Sequence, residues 1–238
     1  LQIKISKGFI LFSLFFIGLS STCFPQTPVW KWQNPLPQGN SLYNLHFVDS
    51  ETGWAVGEVG TIIKTSNGGQ SWEIQNSGTL NRLTGVHFID TLTGWAVGFY
   101  GTMVKTENGG QSWQKQEIGT QQSLTSIFFI DSLTGWVAGT SGTILKTTNS
   151  GQTWQISTTG ADTYFDSMFF RDAQTGWGVS NSSIMMKTTN GGTTWTNQYV
   201  GPTNNHYSIY FADSLNGWTV GSGQIVKTTN GGESWVGQ

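Results

Sequence analysis

Residues 83–113 read LTGVHFIDTLTGWAVGFYGTMVKTENGGQSW, and variants of this stretch occupy four other places in the chain. Trp54, Trp95, Trp136, Trp177 and Trp218 mark it at intervals of 41 residues. Trp72, Trp113, Trp154, Trp195 and Trp235 keep the same interval until a last step of 40. Phe47, Phe88, Phe129, Phe170 and Phe211 follow the beat, as do Asp49, Asp90, Asp131, Asp172 and Asp213. Self-similarity at roughly 40–45 residues is the mark of a propeller blade or a solenoid unit.

Within each unit the apolar runs are short, rich in Val, Ile, Phe and Trp, and bounded by Gly, Asn, Asp and Thr, so they read as strands. No stretch has helical periodicity, which excludes a helical solenoid. Each unit yields four strands, a to d, and the fold class expected is all-β: a β-propeller of four-stranded blades with five repeats visible. The blades are expected at about 42–78, 83–119, 124–160, 165–201 and 206–238, within a propeller domain at 27–238. The Trp of strand b and the Trp opening strand d are expected to pack between neighbouring blades. Each such ring buries about 150–250 Å², which accounts for a core in a chain that is 36% hydrophobic.

The c–d connection has its own chemistry: TSNGGQSW from Thr65, TENGGQSW from Thr106, TTNSGQTW from Thr147, TTNGGTTW from Thr188 and TTNGGESW from Thr228. Asn67, Asn108, Asn149, Asn190 and Asn230 are expected to accept backbone amides two residues on. Gly69, Gly110, Gly151, Gly192 and Gly232 complete these structural turns. The glycine before them is replaced by Ser150 in the third unit, which predicts positive φ at the second position and not at the first.

This [ST]-x-[DN]-x-G-x-[ST]-W pattern resembles the Asp-box, or BNR repeat, with Asn in the Asp place. Together with F-x-D-x-x-T-G-W-x-V-G it resembles the photosystem II stability/assembly factor family of propellers over residues 30–238. The resemblance implies a secreted or lumenal, non-catalytic, protein-binding propeller in which the Asp-box is a structural turn. Members of that family have seven blades, and the photosynthetic ones an arginine-rich surface. This chain shows five repeats and only Arg82 and Arg171.

The first 26 residues stand outside the repeat. Lys4 and Lys7 precede an apolar run starting at Phe9, then SSTCFPQ, as in a secretory signal peptide followed by a spacer. The run is shorter than the roughly 20 residues of a spanning helix, so no transmembrane span is expected after cleavage. A cut after Cys23 leaves no cysteine; the rival reading makes Cys23 a lipid anchor. The expected location is secreted, periplasmic or cell-surface. Without Lys4 and Lys7 the balance is 9 basic against 13 acidic residues, a poor match to nucleic acid.

Residues 29–35, VWKWQNP, align with the d strand and are expected to form a lone N-terminal strand. Residues 235–238 already begin a d strand in the last unit. Either that end is a stub displaced by the N-terminal strand, or the sequence stops before its last blades. Leu1 in place of Met and an end three residues after Trp235 favour a truncated larger propeller.

Candidate sites were weighed against the repeat. His46 and His87 share a position with Phe128, Phe169 and Tyr210, which marks packing; no metal and no cofactor is expected. His206 reads as a loop residue. The strand-a Asp residues read as turn formers, and Lys64, Lys105, Lys146, Lys187 and Lys227 as snorkelling or pairing side chains. A sialidase clamp needs three arginines, and glycoside hydrolysis needs two facing carboxylates, for which Glu58 and Asp162 are the best pair. No catalytic residue is assigned.

Comparing the units with each other places variation in the b–c and d–a loops, which share one face of a propeller. The binding residues expected there are Phe99, Tyr100, Glu58, Val59, Arg82, Asn81, Gln122, Asp162, Tyr164, Asn181 and His206. Phe99 and Tyr100 are the sharpest feature, either a contact anchor or a ring folded over the channel mouth. The function expected is a non-enzymatic protein-binding or assembly scaffold. The alternative is an extracellular glycan-binding or vestigial, sialidase-like glycosidase propeller, so the partner is a protein or a surface glycan.

Overall fold

The computed structural model describes residues 39–159, 163–180, 184–198, 200 and 205–238, all within the compact unit Pro35–Gln238. The leader, Cys23 and the strand expected at 29–35 lie outside the described residues. Five antiparallel four-stranded sheets follow one another in chain order, as blades of a propeller. The first holds β1 (Leu42–Phe47), β2 (Thr52–Gly57), β3 (Ile62–Ser66) and β4 (Glu73–Gln75), and the second β5 (Leu83–Phe88), β6 (Gly94–Gly98), β7 (Thr102–Thr106) and β8 (Gln114–Lys115). β9 (Leu124–Phe129), β10 (Gly135–Gly139), β11 (Thr143–Thr147) and β12 (Gln155–Thr158) make the third. The fourth is β13 (Phe165–Phe170), β14 (Gly176–Ser180), β15 (Met185–Thr188) and β16 (Thr196–Gln198). The fifth is β17 (His206–Phe211), β18 (Gly217–Gly221), β19 (Gln224–Thr228) and β20 (Val236–Gly237), so the last sheet carries its own d strand.

The core lies between sheets, as four separate clusters. Trp54 of β2 stacks on Phe88 of β5 at 3.5 Å with 7° between the planes, and Trp136 stacks on Phe170 at 3.6 Å and 6°. Trp113 meets the same Phe88 edge-on, at 5.7 Å and 87°. The Phe ring is thus held on one face and at its rim by two indoles. Its other face lies on the glycine opposite it in the hairpin: Phe88 pairs with Gly94, where a Cβ would stand 2.4 Å from the ring. That contact explains the Gly of every T-G-W. Val56, Ile62, Leu83 and Val86 complete the first cluster, all buried.

At the inner strands the shared His/Phe position forms a run of rings. His46 and His87 are 4.4 Å apart, His87 and Phe128 5.5 Å, and Phe128 and Phe169 5.1 Å. The amide of Phe88 donates to Nδ1 of His46 at 3.3 Å, which makes that imidazole neutral with its proton on Nε2. Both histidines are packing residues. His206 is a correction to the loop assignment: it opens β17 and is fully buried, with Nδ1 3.2 Å from the Thr219 hydroxyl. It takes the place of Leu83, Leu124 and Phe165, which open the inner strands of other sheets.

The c–d turn repeats one hydrogen-bond scheme. Thr106 Oγ1 accepts from the amide of Gly110 at 2.9 Å and donates to Asn108 Oδ1. Asn108 Oδ1 accepts from the amide of Ser112 at 2.9 Å, four residues on rather than the expected two. A second correction concerns φ. Gly68, Gly109, Gly191 and Gly231 have φ of 65° to 69°, and Ser150 holds 58°, so the first position is left-handed as well. Ser150 keeps this conformation while its hydroxyl donates to the Ser132 carbonyl at 2.5 Å.

The charged repeat positions are structural. Asp90 Oδ1 accepts from the amides of Leu92 and Thr93 at 2.7 and 2.6 Å, and Asp49, Asp131, Asp172 and Asp213 act likewise. Lys64, Lys105, Lys146, Lys187 and Lys227 lie over the b-strand indoles at 5.1 to 5.4 Å.

Burial, then the neighbouring His46, pulls the His87 pKa down from 6.5 to about 3. The unfolded chain gains a proton below 6.5 and the folded chain only near 3, so this contribution is complete above 6.5 and drains away as pH falls between the two. His87→Phe is expected to remove the loss, gaining about 1–2 kcal/mol on the parent between pH 8 and pH 5. Thermal melts that shift in parallel at both pH values refute this. In the turn, Thr106→Val strands the Gly110 amide and is expected to cost about 1–3 kcal/mol in denaturant melts. Thr106→Ser, which keeps the hydroxyl, is expected to retain most of that stability.

Candidate functional site

The b–c and d–a connections meet on one face. The amide of Gly101 donates to the Gln122 carbonyl at 3.0 Å, and that of Gly142 to the Thr163 carbonyl at 2.7 Å. Each b–c tip therefore leans on the entry to the next sheet. The tips share a backbone shape: Val59, Tyr100 and Ser141 have φ of 53°, 58° and 53°, each followed by a left-handed glycine. Such a φ is a genuine outlier for the β-branched Val59. The strained residue is the one whose side chain points away from the fold, since Val59 and Tyr100 are exposed.

At the centre of this face sits Arg82. Its guanidinium lies 4.9 Å from the Tyr43 ring and 4.8 Å from the Phe99 ring, and Nη2 reaches Glu58 Oε1 at 2.5 Å. The Tyr43 hydroxyl donates to the same carboxylate oxygen. The two hydrogen bonds, from Tyr43 and then Arg82, hold the Glu58 carboxyl below the usual carboxylate range, while Glu58 pushes Tyr43 up. Tyr164, entering the fourth sheet, is raised by burial and by Asp166, with Arg82 acting in the opposite direction. The group is a half-exposed cation held between two rings, neutralised by one carboxylate.

Beside it, Phe99 is half-buried and meets Tyr100 edge-on at 6.2 Å, leaving Tyr100 the projecting ring at 68% exposure. Of the two readings of this dipeptide, Phe99 takes the internal role and Tyr100 the outward one. Tyr100 borders a groove of about 320 Å³ lined by Asn81, Thr102, Lys115, Glu117 and Gln121. Lys115 and Glu117 pair at 2.9 Å on its rim.

The sequence-derived set thus divides. Glu58, Arg82, Phe99, Tyr100 and Tyr164 are brought together, and Val59 stands beside them on its own tip. Asn81 and Gln122 have tying roles: Asn81 Nδ2 donates to the Thr102 hydroxyl at 2.8 Å, and Gln122 Oε1 accepts from the Thr140 hydroxyl at 2.9 Å. His206, buried in the fifth sheet, offers no surface to a ligand and leaves the set. Asp162 and Asn181 lie outside the described residues. Two residues escaped the sequence reading, Tyr43 and the exposed Leu80. Tyr43 was detectable, because Thr84, Thr125, Asp166 and Tyr207 occupy its place in the other units. Tyr207 repeats its geometry, with its hydroxyl 2.7 Å from that of Ser222, the counterpart of Glu58.

The arrangement lacks the makings of acid catalysis. A glycosidase acid needs a raised pKa, and Glu58 is shifted the other way. Among the described residues no group of three His, Cys, Asp or Glu is placed to hold a metal, and no helix is long and apolar enough to cross a membrane.

Solved structures bear the fold out. "YCF48 bound to D1 peptide" is 20% identical with a TM-score of 0.62, covering 85% of this chain and 82% of that one. YCF48 from Cyanidioschyzon merolae is 17% identical, with a TM-score of 0.60 and 86% of each chain covered. An ancestral GH74 enzyme gives a TM-score of 0.71 at 18% identity over 89% of this chain, which spans 32% of that enzyme. None of the curated proteins matches the chain. The family model of photosynthesis system II assembly factor YCF48 matches residues 24–115, 76–158 and 112–204. On that match, and on five blades built around its Trp and Asp-box signatures, the chain belongs to the YCF48 family of BNR propellers.

Proposed function

We propose that the protein is a secreted, non-enzymatic propeller that binds a segment of a partner protein on its b–c/d–a face. The observation carrying this reading is Tyr100, a projecting ring on a strained tip, beside the Tyr43–Arg82–Phe99 stack and the polar groove. A rigid aromatic with a guanidinium close by is the composition of an interface hot spot. The groove supplies donors and acceptors for a peptide backbone, with opposite charges at its rim. Binding of a peptide by a propeller of this family, as the D1 peptide complex of YCF48 displays, supports the same class of ligand. The lowered pKa of Glu58 supports a non-enzymatic role. Secretion rests on the leader-like first 26 residues.

The test is a peptide array drawn from envelope proteins, run beside a glycan array. Peptide binding is expected, and Tyr100→Ala is expected to weaken it at least about tenfold, the worth of a modest hot spot. Arg82→Ala is expected to weaken it as well, by releasing Phe99 from its stack. Glycans retained in a Tyr100-dependent manner, with peptides ignored, overturn the reading.

A further inference from the structure

The outward faces of the first and fifth sheets are the two halves of one interblade interface. Between neighbouring sheets the leading half comes from strands b and c: Val56, Val97, Ala138 and Val179, then Ile62, Met103, Ile144 and Met185, all fully buried or within 1% of it. Their counterparts in the fifth sheet are Val220 and Ile225, exposed by 42% and 48%. Trp218 likewise lies half-buried, where Trp54, Trp95, Trp136 and Trp177 are fully buried. The trailing half comes from strand a. Phe88, Phe129, Phe170 and Phe211 are buried, as are Val86, Ile127, Met168 and Ile209. Their counterparts in the first sheet are Phe47 and Leu45, the latter exposed by 63%. An apolar hollow lined by Leu42, Leu45, Ala55, Ile63 and Trp72 opens on that face.

Polar features match as well. Lys64 Nζ donates to the Gly109 carbonyl at 3.0 Å and Lys187 Nζ to that of Gly231 at 3.4 Å, each on the following sheet. Lys227 lies over Trp218 in the same pose, and the carbonyl at the corresponding place in the first sheet belongs to Gly68. The fifth sheet therefore presents what the first sheet is shaped to receive, down to the ammonium.

We propose that these faces dock a second copy of this chain head to tail, Trp218 of one copy stacking on Phe47 of the next as Trp54 stacks on Phe88. The second copy is the occupant because four interfaces inside the chain already display the required register and contacts. The contact is heterologous, so it closes into a ring of copies or extends as a filament.

Sedimentation velocity of the 238-residue chain across a wide concentration range tests this. Self-association that rises with concentration is expected. Leu45→Glu and Ile225→Glu each spoil one face and are expected to weaken it at least about tenfold. Both side chains are exposed, so circular dichroism is expected to show unchanged folding; Val220→Glu serves as a second variant of the fifth sheet. The decisive arm mixes the two single variants, each keeping the face the other has lost, and a one-to-one complex that grows no further is expected. A monomer at every concentration, as when residues 29–35 of the same chain cover a face, overturns the proposal. So does association indifferent to both variants, or a mixture that stays apart.

Discussion

The structure depends on one contact made four times: an indole lying flat on the phenyl ring of the next sheet. Both rings are large and planar, and their stacking fixes separation and tilt together, which aliphatic packing does poorly. The glycine under each Phe ring removes the one atom that would lift the ring away from its own sheet. Sheets with two- to four-residue outer strands are too small to bury an apolar face alone. Joined through this contact they bury most of their Trp, Phe, Val and Ile side chains.

The remaining repeat positions secure that geometry rather than perform chemistry. The Asp side chains close the a–b turns, the Thr–Asn pairs close the c–d turns, and the lysines cover the indoles from outside. One face is consequently committed to backbone hydrogen bonds. The opposite face is held by main-chain contacts between b–c and d–a loops, which leaves the tip side chains free to differ. Glu58, Phe99, Thr140 and Ser222 occupy equivalent tips with unrelated chemistry. Specificity is written there, on a backbone that hardly changes.

Much of this was legible in the amino-acid sequence because the repeat supplies its own alignment. The indole spacing identified the blades, and the Phe residues at the place of His46 and His87 identified a packing position. The sequence-based errors came where one unit was allowed to speak for local geometry. Ser150 suggested a relaxed φ, yet its hydroxyl bond to Ser132 keeps it in the left-handed region. His206 suggested a loop because imidazole is polar, yet its strand position dictates burial and Thr219 satisfies one nitrogen. Tyr43 went unnoticed because it lies at the start of a strand, at the irregular register between Leu42 and Asn44, outside the loops where variation was sought. The groove beside Tyr100 was illegible, because it arises from segments of two sheets that no local pattern connects.

The division of the core into four clusters has a mechanical consequence. With no shared centre, cooperativity passes only from neighbour to neighbour, like tension along a row of clasped hands. Damage at one clasp stays local, and the protein tolerates insertion or loss of whole units better than disruption within one. The inner sheets, gripped on two sides, exchange their amides most slowly, while the outermost ones open first. Such a protein evolves by lengthening and shortening as readily as by point substitution.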